Sequence, residues 1–275
     1  MNGDQFFTSF EDGDPAPTWT DTIDTTDGKP RSDHATMRTH PGGGPSQTYN
    51  ARRGVGFTGV RSLRYHGAHR GDGPAFVVNR IFWVEIEVTA ETELSYLIFP
   101  ELTGGDLRYP STYVTVDLAF EDGTQLSELG AVDQLGFELS PRGQGESKAL
   151  YANQWNRRIA RIGAVAAGKK ITKILVHYAS PHGPVKFGGW IDDLRIGTRR
   201  PRPHRPTPIE CVLTTRGTHS SRDFSRGNTF PATAVPHGFN FWTPVTDAGS
   251  TSWIYEYHRG SDEQNRPALQ AFAVS

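Results

Sequence analysis

Three stretches of the 275-residue chain concentrate side chains that could do chemistry. Ser9-Phe10-Glu11-Asp12-Gly13-Asp14-Pro15 crowds carboxylates near the start, and Gly189-Trp190-Ile191-Asp192-Asp193-Leu194 adds two more much later. Carboxylates are hard oxygen ligands, and calcium takes several of them with backbone carbonyls in a flexible cage. Glu11, Asp12, Asp14, Asp192 and Asp193 meet that need only if the two stretches meet in space. Otherwise they are acids in solvated turns. The third stretch is Arg226-Gly227-Asn228-Thr229-Phe230-Pro231, running on to Pro236-His237-Gly238. Glycine lets a backbone approach a ligand closely. Asn228 offers donors and acceptors that match sugar hydroxyls, and Phe230 can pack on the apolar face of a sugar ring. Pro231 and Pro236 stiffen the loop, which lowers the entropy lost on binding. The plain alternative is a glycine- and proline-rich turn that seats a domain.

No catalytic residue is assigned in this chain, because its carboxylates are scattered and nominate no acid–base pair. A formal net charge of -1 gives no general electrostatic case for nucleic acid or anionic membrane. No apolar run is long enough to span a bilayer. The single cysteine, Cys211, excludes an intrachain disulfide and leaves the redox compartment open. Met1-Asn2-Gly3-Asp4-Gln5 lacks the basic flank and apolar stretch of a signal peptide, so the chain is either cytoplasmic or starts elsewhere in its native form.

The elements that must position these residues read as strands. Phe82, Val84, Ile86 and Val88 alternate with Trp83, Glu85 and Glu87; Leu94, Tyr96 and Ile98 repeat the pattern. Val114, Val116, Leu118 and Phe120 form the clearest case, opposed by Thr115 and Asp117. Period-two alternation buries one face. Asp122-Gly123 then signals a two-residue hairpin. Ile174, Val176 and Tyr178 mark a late strand, and Trp190 to Ile196 closes the set. The best helical candidate is the short basic stretch Gln154 to Ile162. Of the tryptophans, Trp83 is expected on an outer sheet face, covered by a loop or a neighbour rather than serving as a sugar platform. Gln154-Trp155-Asn156 is expected in a loop packed by its own side chains.

Glycine (30) and proline (19) punctuate the chain often enough to favour many short strands. The expected fold is all-β, an antiparallel β-sandwich of jelly-roll type over residues 1–198, followed by the start of a second β-sandwich. Residues 27–54 carry almost no apolar side chain and are expected as a long loop or partly disordered segment. Residues 199–208, Arg-Arg-Pro-Arg-Pro-His-Arg-Pro-Thr-Pro, are expected as a semi-rigid interdomain linker, with a nucleic-acid arm as the alternative. Residues 209–275 begin the second unit, too thin to close a core, so the native chain is expected to continue.

The two acidic stretches resemble the first and last strands of galactose-binding-like jelly rolls, in which the terminal strands pair and often hold a structural calcium. That resemblance points to Glu11, Asp14, Asp192 and Asp193 as calcium ligands. Arg216-Gly217-Thr218 followed by Arg226 to Phe239 resembles the opening of the N-terminal domain of glycoside hydrolase family 92, the calcium-dependent exo-acting α-mannosidases. Trp253-Ile254-Tyr255-Glu256-Tyr257-His258 extends the match, and residues 1–198 resemble the accessory sandwich before the core of some bacterial members. Ala232 and Thr233 stand where the common pattern has glycine and alanine, which places the chain in a divergent branch. The resemblance implies an inverting α-mannosidase acting on mannose-containing glycans. Its acids and catalytic calcium would lie in a downstream helical domain, outside this chain. Asn228, Thr229, Phe230 and Arg216 would line the mannose site. The resemblance also implies a secreted or periplasmic protein, and a fragment inactive alone. Two readings compete with it: a non-catalytic carbohydrate-binding module, and a purely structural sandwich.

Overall fold

The computed structural model describes residues 3–17, 32–48 and 51–199, with the backbones of 242–245 and 271–274. In chain order the elements are β1 (Asp4–Thr8), β2 (Ser32–Asp33), β3 (Ala35–Gly42), β4 (Ser62–His69), β5 (Ala75–Glu87), β6 (Thr92–Pro100) and β7 (Val114–Phe120). A short helix α1 (Pro141–Ser147), β8 (Asn156–Ala160), a single turn α2 (Gly163–Ala166), β9 (Lys170–Ser180) and β10 (Val185–Thr198) follow. Strands β11 (Trp242–Val245) and β12 (Ala271–Val274) pair antiparallel. The remainder of the expected linker and second unit lies outside the described residues.

Two antiparallel sheets make a β-sandwich. One runs β3-β4-β10-β6-β8 with β1 also on β10, and the other runs β2-β5-β9-β7. The alternation seen in sequence sets the inner faces. Leu94, Tyr96 and Ile98 from one sheet and Val114, Val116, Leu118 and Phe120 from the other are buried in one core. Each such Leu, Ile or Phe contributes about 1.5–3 kcal/mol by leaving water. Tyr178 of β9 stacks on Phe187 of β10 at 3.7 Å with rings parallel, tying the sheets together at one end.

Three sequence expectations need correction, and one strand is longer than its alternating stretch. Within residues 27–54, Ala35–Gly42 is a full strand. Ala35, Met37 and Thr39 point inward and Thr36, Arg38 and His40 outward, so the alternation exists but its inner residues are too small or polar to register as a hydrophobic run. The stretch from Gln154 to Ile162 is strand β8, not helix. Its basic look hides a buried arginine, since Arg158 sits 3.3 Å from Asp133 and donates to Gln144 at 2.6 Å. Strand β5 begins at Ala75 rather than near Phe82, because irregularities at Arg80/Phe82 and Trp83/Ile86 break the alternation. The Asp122-Gly123 turn is present, with Gly123 at φ +83. It returns the chain for a single bridge, Ala119 to Gln125, before a 3₁₀ turn at Leu126–Glu128, so it makes no hairpin of two full strands.

Candidate functional site

The terminal strands do pair. In β1 against β10, Thr8 stands opposite Leu194, which brings Ser9 to Asp14 beside Asp192 and Asp193. A loop, residues 55–61, threads between them and consumes most of their acceptor capacity. Asp192 Oδ2 accepts from the Phe57 and Thr58 amides at 2.7 and 3.1 Å, and its Oδ1 accepts from the Asp193 amide at 2.7 Å. Asp193 Oδ2 accepts from the Thr58 hydroxyl at 3.0 Å. Glu11 Oε1 accepts from the Val60 and Arg61 amides, and Asp14 Oδ2 from the Ser9 amide and hydroxyl. Asp12 pairs with Arg61 at the surface.

Two features there invite a cation. Asp193 Oδ1 is buried without a hydrogen-bond partner. Burial, reinforced by the neighbouring Asp193, holds the Asp192 carboxyl well above the usual carboxylate range, and burial also raises Asp193. Yet among the described residues no three His, Cys, Asp or Glu side chains converge as a metal-holding group. A calcium here would lean on backbone carbonyls as much as on carboxylates.

A second site was missed in sequence and lies on the outer face of the six-stranded sheet. Register aligns His40 of β3, Arg64 of β4, Trp190 of β10 and Phe99 of β6 in one row across four strands. The next row sets Arg38 opposite His66, and His66 opposite Gly188. A groove of about 740 Å³ follows these rows, lined among others by Arg38, Arg64, His66, Glu101 and Lys186. The Arg64 guanidinium lies 4.8 Å from the centroid of the Trp190 ring. Glu101 Oε1 both pairs with Arg64 and accepts from Trp190 Nε1 at 2.9 Å. The His40 and His66 rings meet edge to face at 5.4 Å. Glycine at 188 keeps the floor low, since a Cβ there would stand 3.2 Å from Arg64 Nη2.

The sequence signal for this face was the spacing of Arg38 with His40 and of Arg64 with His66, two residues apart on neighbouring strands. Period-two polar positions read as solvated, and nothing local says that two such strands adjoin.

Trp155 packs on Phe99 and Phe57 at centroid distances of 5.4 and 6.2 Å. Asn156, which opens β8, bonds the backbone of Tyr151 and Gln154, so this turn is held partly by its own side chain and partly, through Trp155, by packing on β6 and the 55–61 loop. Trp83 does face outward, on the other sheet, and among the described residues no loop covers it. It remains 52% exposed, flanked by Arg80 at 4.2 Å and Lys173 at 4.8 Å. Asn228, Thr229, Phe230 and Arg216 lie outside the described residues.

No family model matches the chain, and no curated protein does. Similar solved structures include the glycoside hydrolase domain of Endo-D from Streptococcus pneumoniae R6, at 16% identity and TM-score 0.35. They also include carbohydrate-binding modules of the β-sandwich superfamily (12%, 0.31) and a family 30 carbohydrate-binding module (10%, 0.34). The matches cover 74%, 65% and 79% of this chain, and 29%, 63% and 98% of those chains. This chain thus spans well under two thirds of the Endo-D structure. At these scores the likeness carries no argument about function.

Proposed function

We propose that the described sandwich is a carbohydrate-binding module, with its glycan lying in the groove on the outer face of the six-stranded sheet. The Arg64–Trp190–Glu101 arrangement carries this reading. Recognising sugar hydroxyls requires donors and acceptors fixed in space before the ligand arrives. Stacking on an indole and pairing with a carboxylate hold the Arg64 fork in one orientation at the groove wall. Lys186 and Arg70 add donors along the same groove.

The module is proposed to serve a glycan-degrading enzyme. The reading that this enzyme is an inverting, exo-acting α-mannosidase rests on the family 92 resemblance of residues 209–275. So do Asn228, Thr229, Phe230 and Arg216 as lining of its mannose site, the catalytic calcium, the downstream helical domain and a secreted or periplasmic location. A structural calcium held by Glu11, Asp14, Asp192 and Asp193 is a separate proposal, supported by the orphaned Asp193 oxygen.

The test is a glycan array followed by calorimetry on the 275-residue chain. Binding that disappears in Arg64→Ala is expected. A chain that binds no glycan would leave the purely structural sandwich standing. In a longer protein carrying the proposed helical domain, unchanged turnover in Asn228→Ala and Phe230→Ala would overturn the mannose-site assignment.

A further inference from the structure

We infer that this groove selects anionic glycans, those bearing carboxylate or sulfate groups, over neutral ones; the inference rests on the carbohydrate-binding reading of the same face. Among the described residues, Arg38, Arg64, Arg70 and Lys186 line the groove with one carboxylate, Glu101, which pairs with Arg64. The whole chain carries a formal net charge of -1, so general basicity does not explain this concentration.

The cations are also distributed along the path of a ligand. Lys186 and Trp190 are four residues apart on β10, which spans about 13 Å at ~3.3 Å per residue. Arg38 enters from β3, and Arg64 stands beside Trp190 at the far end. An oligosaccharide lying along β10 therefore passes a cation at each end. A neutral polymer offers hydroxyls alone, and Lys186 would then gain little from its position. A guanidinium matches carboxylate and sulfate oxygens with two parallel donors, which a hydroxyl cannot reciprocate. The groove walls also reduce screening of such contacts relative to open solvent.

Nucleic acid is the other common polyanion. Its affinity rests on a row of phosphates neutralised by many cations, with aromatic faces exposed for base stacking. Here one face of Trp190 is covered by Arg64, and Glu101 sits among the cations, which favours a short sugar acid over a phosphate backbone.

The experiment is calorimetry of the full chain with oligogalacturonate, a heparin-derived oligosaccharide, a neutral manno-oligosaccharide of equal length, and single-stranded DNA, at low and at 0.5 M salt. The expected result is at least tenfold tighter binding of one or both acidic sugars than of the neutral one, weakening with salt. The uronate and sulfate arms decide which anion is read. Lys186→Glu and Arg70→Glu, at exposed positions, should each lower that affinity tenfold or more. Arg142→Glu, on α1, should leave it unchanged. Equal binding of the neutral and acidic sugars would overturn this inference and leave the carbohydrate reading intact. Binding of no sugar at all would remove both. DNA bound as tightly as the acidic sugars would replace the glycan with nucleic acid.

Discussion

Arg64 and Trp190 stand opposite one another on β4 and β10, and the guanidinium lies 4.8 Å from the indole centroid while Glu101 holds both polar ends. One carboxylate thus orients a cation and an aromatic ring at once.

Glu101→Gln keeps the shape and removes the charge that holds Arg64. A hydrogen bond to a charged group contributes about 1.5–3 kcal/mol, so loss of the fixed Arg64 fork should lower neutral-glycan affinity roughly tenfold, whereas acidic glycans, which gain from removal of a negative charge in the groove, should lose less. The melting temperature should move little, because the pair is near the surface. Calorimetry beside a thermal melt checks both parts.

Gly188→Val tests the groove by filling it. A Cβ at 188 would stand 3.2 Å from Arg64 Nη2 and 3.4 Å from Glu101 Oε2, so added methyls occupy ligand space. Binding should be lost while circular dichroism shows the sheet retained. Undiminished binding would place the ligand elsewhere.

Arg158→Ala should cost about 3–5 kcal/mol of stability, measured by urea unfolding. Arg158 is buried 3.3 Å from Asp133, and Gln144 of α1 bonds both. Removing the arginine strands a buried carboxylate. Arg158→Met with Asp133→Asn should recover part of the loss, since Asn keeps an acceptor for the Leu135 and Phe137 amides and leaves no orphaned charge.

Millimolar calcium should raise the melting temperature, and a chelator should reverse the rise, if the terminal acids bind the ion; at 1,000 times the dissociation constant the gain is about 4.1 kcal/mol. Asp193→Asn removes one of two adjacent buried carboxylates. That variant should melt higher than the parent without calcium and show no calcium response. An unaltered parent melt across the titration would end the structural calcium proposal.

Alkaline pH should unfold the protein steeply. Burial pushes Tyr96 and Tyr178 up to about 12, against an ordinary value of 10.0. The folded state then binds more protons than the unfolded state between those values, so stability falls as pH rises through that window and is intact below it. Tyrosinate absorbance should appear together with loss of the far-ultraviolet signal. In Tyr178→Phe the alkaline decline should be shallower, while the loss of its 3.0 Å hydrogen bond with His69 costs about 1 kcal/mol at neutral pH.

Much of the fold was legible residue by residue. The alternations at Leu94–Tyr96–Ile98 and Val114–Phe120 placed the inner faces correctly, because burial of one sheet face is a local, period-two property. Reading failed where tertiary partners changed what a residue could do. Arg158 looked like a solvated charge and is buried beside Asp133. Ala35, Met37 and Thr39 looked too weak to hold a strand, and β4 supplies the pairing that makes them one. Asp117 looked outward-facing and is fully buried, accepting from Ser127 and contacting His177.

From the sequence alone came the class of fold, the inward set of each strong strand, and the meeting of the two acidic ends if the terminal strands paired. The groove was decided only by tertiary structure. Its rows combine the consecutive β3 and β4 with β10 and the end of β6, which are far from them in sequence and whose order no single strand encodes. Side chains on an exposed face follow from pleat and register, but which strands lie side by side depends on how both sheets close over one shared core.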